Sequence, residues 1–172
     1  MTTPEVTFTT EQQQLLQIQY LKTRLRNCTS WFYWIAGLSI LNTVTSLFGL
    51  TITFVIGLGA TQVVDAISNM LANDFGGENS GIIFRGAGLF VNLILAGIIA
   101  LFGFLSIKGK RWALITGMVV YLADATLLLI FQDWLGVLFH GWALFSLFKG
   151  ISIMKSMSNL ESAKNIQAIP VI

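Results

Sequence analysis

Apolar runs too long for a soluble core constrain this chain more than any other feature. They extend from Trp31 into the fifties, from Ile82 to Ile107, from Trp112 to Phe131, and from Trp134 to about Met154. A helix needs about 20 apolar residues to cross about 30 Å of hydrocarbon, and each run meets or approaches that length. Composition agrees: 55% of the residues are apolar and 10% charged, where soluble domains carry about a quarter charged, and mean hydropathy is +0.75. With a bilayer as solvent, the backbone must satisfy its own polar groups, which selects helices for runs of this kind. The expected fold is an all-α membrane protein: an antiparallel four-helix transmembrane bundle with N-terminal and outer-surface amphipathic helices. Residues 1–29 form its cytoplasmic amphipathic N-terminal segment, 30–154 the bundle, and 155–172 a cytoplasmic C-terminal tail.

The polar segment before Trp31 has its first cation at Lys22, late for a cleaved secretory leader, so the first run reads as an uncleaved signal-anchor. Thr10 followed three residues later by Gln13 has the form of a capping box. Ile18, Leu21, Leu25 and Cys28 then recur at helical spacing, with Lys22, Arg24 and Arg26 suited to lipid headgroups. The first run is over-long, so residues 51–60 either continue it or re-enter the membrane. Beyond Ala60 a stripe of Val63, Val64, Ile67, Met70 and Leu71 opposes Gln62, Asp65, Ser68 and Asn69. That spacing predicts a helix lying on the outer membrane surface, ended by the turn NDFGGENSG.

Nine of the ten cations fall on one side of this arrangement, Arg85 being the exception. Short loops rich in Lys and Arg stay in the cytoplasm, so both termini are expected inside, in the cell inner (plasma) membrane. Trp31, Tyr33, Trp112 and Trp134 lie near span ends, where amphipathic rings favour the headgroup level. The sequon Asn27-Cys28-Thr29 falls on the wrong side for glycosylation.

Inside the last two runs stand Asp124 and His140, eight positions before and after Gln132 at the intervening turn. At 1.5 Å per residue both lie about 12 Å below the outer surface on adjacent antiparallel helices. Gly117, Tyr121 and Asp124 share one helical face, and Asp133, Gly136, His140 and Ala143 share another. A lone carboxylate at this depth costs about 2.5–3.5 kcal/mol on insertion scales, so Asp124 must be paired or protonated. A buried polar pair of Asp124 and His140, with Tyr121 beside it, is the simplest solution, as an ion pair or a neutral one. Asn42 and Asn92 fall near the midplane and are the expected interhelical polar contacts. Asn42, Thr43, Thr45 and Ser46 either line a polar cavity or bond within their own helix. Gly88, Asn92, Ala96, Ala100 and Gly103 form a small-residue stripe, read as a seam inside the bundle in preference to a homodimer face.

Chemistry-bearing motifs are scarce. There is no HExxH, P-loop or GxSxG, and the single His and single Cys supply no metal cluster. No catalytic residue, metal or cofactor is assigned; haem on one histidine would be poorly supported. The basic residues are spread over three segments with no evident platform, which argues against nucleic acid. The expected partners are the lipid bilayer and a second copy or a membrane-complex protein.

The segments SWFYWIAGLSILNTV, GLGATQVVDAI, KGKRWALITGMVVYLAD and FQDWLGVLFHGWALF together resemble an uncharacterised family of small bacterial four-span inner-membrane proteins, over residues 30–154. The resemblance implies a bacterial inner-membrane location and transfers no activity or site residues. The resulting expectation is a structural or accessory bundle. A small transporter or proton-coupled protein using Asp124 and His140 is the alternative, and a membrane enzyme acting on a lipid or quinone comes third.

Overall fold

A computed structural model describes residues 9–49, 57–75 and 78–167, which are helical apart from caps and turns. The helices are α1 (Thr10–Thr29), α2 (Trp31–Leu47), α3 (Gly59–Asp74), α4 (Glu78–Ile107), α5 (Arg111–Ile130) and α6 (Trp134–Gln167). Three segments, Ser80–Ile107, Arg111–Ile130 and Trp134–Ala163, are long and apolar enough to cross a membrane. Their outward faces agree with that solvent: Phe90, Leu138, Trp142 and Phe145 are all more than 60% exposed. A soluble fold would bury such side chains.

Local chemistry sets the helix limits. The capping box at the start of α1 lies one residue earlier than the spacing suggested. Thr9 Oγ1 accepts from Gln12 N, and Thr9 N donates to Gln12 Oε1. Two adjacent threonines made either register legible, and Thr9 is the one with extended backbone. Ser30 joins α1 to α2, where the Thr29 and Ser30 hydroxyls donate to carbonyls three or four residues back, a pattern that bends helices. The α4–α5 turn closes with Gly109 at φ +80°. Gln132 turns the chain at φ +58°, and Asp133 Oδ1 caps α6 by accepting from Gly136 N at 2.9 Å. α6 runs on past Met154 to Gln167, so residues 155–167 of the expected tail are helical.

Packing is arranged in two groups that share a core. α4 lies against α2 and α3, α5 pairs with α6, and α1 packs along α6. Leu25 of α1, Phe32 and Ile35 of α2, Ile99 of α4, Leu114 of α5 and Leu147 of α6 meet in one buried cluster. Phe32 fills a notch built from glycines: a Cβ at Gly103 would lie 2.9 Å from Phe32 Cβ, and one at Gly117 would lie 2.6 Å from Phe32 Cζ. The small-residue stripe of α4 is thus occupied from within. Toward its N-terminus it receives α3, since a Cβ at Gly88 would clash with Ser68 Oγ, and toward its C-terminus it receives α2 at Gly103.

The segment after α2 departs most from expectation. α2 ends at Leu47 and does not continue to Ala60. Residues 50–56 of the ambiguous stretch lie outside the described residues, but Leu58 is back beside Ser39, donating from N to Ser39 Oγ at 2.7 Å. α3 therefore starts inside the bundle with Leu58, Gly59 and Thr61 buried, and does not lie along the outer surface. Its amphipathic face is also turned around. Ile67 and Met70 are exposed, whereas Asp65 and Asn69 reach α4 and α2. The polar side chains thus meet protein partners, and the apolar stripe is left on the outside of the bundle.

Candidate functional site

The structure brings Asp124 and His140 together and adds a third participant. His140 Nε2 lies 2.9 Å from Asp124 Oδ2. Asp124 Oδ2 also accepts from Gly59 N at 2.8 Å, and Oδ1 accepts from Ala60 N at 2.8 Å. The carboxylate thereby satisfies two first-turn N–H groups of α3, which have no carbonyl partner within their own helix. It also faces the positive end of that helix dipole. Both halves of the arrangement need small residues. A Cβ at Gly59 would sit 2.6 Å from Leu128 Cδ2, and one at Gly57 would sit 2.7 Å from Asn42 Nδ2.

Hydrogen-bond geometry fixes the tautomer. His140 Nδ1 lies 2.8 Å from Gly136 O, and a carbonyl oxygen only accepts, so Nδ1 carries hydrogen. A hydrogen bond across the Nε2–Oδ2 gap requires one more proton there, which would leave the pair neutral as a whole whichever atom held it. Tyr121 stacks on the imidazole with centroids 4.1 Å apart and planes 16° from parallel. His140 and Tyr121 have no exposed surface, and Asp124 is 6% exposed. Every oxygen and nitrogen of the pair is engaged by a neighbour.

A second polar cluster lies further along the first half of α3. Asn92 Nδ2 shares its hydrogens among Thr43 Oγ1 at 2.8 Å, Thr61 O at 3.2 Å and Asp65 Oδ1 at 2.7 Å. Thr43 is in turn hydrogen-bonded to Asp65. Thr61 O accepts only, so the Asn92 nitrogen must point at it. Asn92 Oδ1, on the other side of the amide, has no partner among the described residues. Asn42 is buried beside Gly57, so the two asparagines serve different contacts. Thr45 bonds its own helix at Asn42 O, and Ser46 accepts from Asn69, so this face of α2 receives α3.

Sequence reasoning missed Ser39, the Gly59 and Ala60 amides, and Asp65 as parts of these clusters. The signal available for the first was spacing: Ser39, Asn42, Thr43 and Ser46 follow i, i+3, i+4, i+7. Among the described residues no group of three or more metal-ligating side chains occurs.

Together the fold and the site define a helical membrane protein in which a carboxylate–imidazole pair anchors the start of an inserted helix. No protein family, curated protein or solved structure matches the chain.

Proposed function

We propose that the chain is a structural or accessory four-span bundle of the cell inner membrane, with both termini cytoplasmic and α3 as a re-entrant helix between the first and second spans. The first span is α2, which joins the three longer apolar helices and whose 17 residues rise about 25 Å. α1 prolongs it toward the charged side. The sidedness of Lys and Arg supports the orientation.

One observation carries the structural reading: both oxygens of Asp124 are bound to backbone amides of α3 while His140 closes the remaining side. A proton carrier must exchange its proton with water on each side in turn. Here an extra proton on the carboxylate would set an O–H against an amide N–H, and loss of the shared one would set the lone pairs of Nε2 and Oδ2 face to face. Reconstitution of the full chain in liposomes containing a pH-sensitive dye tests this. Proton leak equal to that of empty liposomes, with lowered thermal stability in Asp124→Asn and His140→Ala, is expected. Flux in the native chain that disappears in Asp124→Asn at unchanged stability would reverse the assignment in favour of transport. Native mass spectrometry from mild detergent reads partner proteins and copy number in the same preparation, and a retained quinone would favour the enzyme.

A further inference from the structure

The cations that looked dispersed along the sequence converge at the end of the bundle opposite Gln132. α1, the α4–α5 turn and α6 surround a cavity of about 780 Å³ there. Its polar wall holds Lys22 and Arg26 from α1, Lys108 from the turn and Arg111 from the start of α5, opposed by the single carboxylate of Glu161. Among the described residues none of these cations forms a salt bridge. Lys108 is held with Nζ 4.2 Å from the Phe104 ring centroid. Met154, part of the buried core, and Met157, packed against it, form an apolar floor.

We infer that this cleft binds the phosphoryl group of an anionic amphiphile. Four cations from three separate elements with one opposing carboxylate create a strong attraction for phosphate oxygens, and guanidinium groups match them in a forked geometry. The methionine floor accepts acyl chain, and methionine adapts to irregular apolar shapes. A headgroup held here ties α1 to the α4–α5 turn. The inference rests on the membrane reading, which fails separately if the purified chain stays soluble after detergent removal.

The test uses the full chain in neutral-detergent micelles. Thermal denaturation is followed while phosphatidylglycerol, phosphatidylcholine or inorganic phosphate is added, and native mass spectrometry counts retained lipid. Phosphatidylglycerol should raise Tm and stay bound, while phosphatidylcholine should do neither. Arg26→Gln with Arg111→Gln should weaken the effect about tenfold or more. Arg24→Gln with Lys155→Gln removes the same charge outside the cleft and should leave it unchanged. Glu161→Gln should tighten binding, an effect a misfolded variant cannot produce. Stabilisation by inorganic phosphate with the same variant pattern would assign the cleft to a soluble phosphate compound, with the shared chemistry intact. Equal weakening by both double variants, or weaker binding in Glu161→Gln, would overturn the site.

Discussion

Replacing Asp124 by alanine should detach the start of α3, with a size calculable from its bonds. The substitution strips an acceptor from Gly59 N, Ala60 N and His140 Nε2 at once. A buried donor left unpaired costs about 1–3 kcal/mol, and removing one partner of a buried charge pair about 3–5 kcal/mol. These overlap, so the expected total is about 4 kcal/mol, a fall in Tm of about 8–16 °C at this chain length. Asp124→Asn should be milder, at about 2 kcal/mol. Its carbonyl still accepts from Ala60, and its amide nitrogen donates to a neutral Nε2, leaving one N–H facing a donor. Thermal denaturation in detergent gives the ranking, and amide hydrogen exchange gives the location. Exchange at Gly59 and Ala60 should accelerate in Asp124→Ala well beyond that at the core of α4. Retained protection of those two amides alongside a lowered Tm would refute the anchoring argument, as would equal loss in both variants.

Three other outcomes follow from the packing and burial. Gly88→Ala places a methyl 2.7 Å from Ser68 Cβ and should cost about 1–3 kcal/mol by overpacking. A double-mutant cycle with Ser68→Gly should show coupling between the two sites in thermal denaturation. Asn92→Leu removes the donor shared by Thr43, Thr61 and Asp65 and should destabilise by about 2 kcal/mol, read from Tm. Burial pushes the Cys28 thiol up from its usual value of 9.0, with Arg24 and Lys149 opposing the shift. Its thiolate fraction at neutral pH is therefore small, and the rate of maleimide labelling should still be rising at pH 9.0.

The helices with lipid-facing sides were legible because apolar length is read directly from the chain. The meeting of Asp124 and His140 was legible because a short turn makes sequence distance from Gln132 a measure of depth. Neither logic reaches α3. Its N-terminus is placed by Leu58 donating to Ser39 and by Gly59 and Ala60 donating to Asp124. Backbone amides carry no side-chain signature. The convergence of cations at the end of the bundle away from Gln132 was hidden for a related reason: Lys22, Lys108 and Glu161 are remote in sequence and meet only through the packing of α1 on α6.

Amphipathicity itself has no sign until the solvent on the outer face is known. Asp65, Ser68 and Asn69 opposite Ile67 and Met70 suit a surface helix with its polar side in water. They equally suit an immersed helix with that side against protein. The deciding fact is whether protein partners exist for the polar face. Here Asn92 and Thr43 serve Asp65, Ser46 serves Asn69, and Gly88 leaves room for Ser68. Those partners were present in the sequence as an unexplained polar face on α2 and a small-residue stripe on α4. Once α3 is turned inward, both features have the same cause. Asp124 then follows: a helix begun in a low-dielectric interior needs acceptors for its first amides, and a carboxylate neutralised by histidine supplies two without leaving net charge behind.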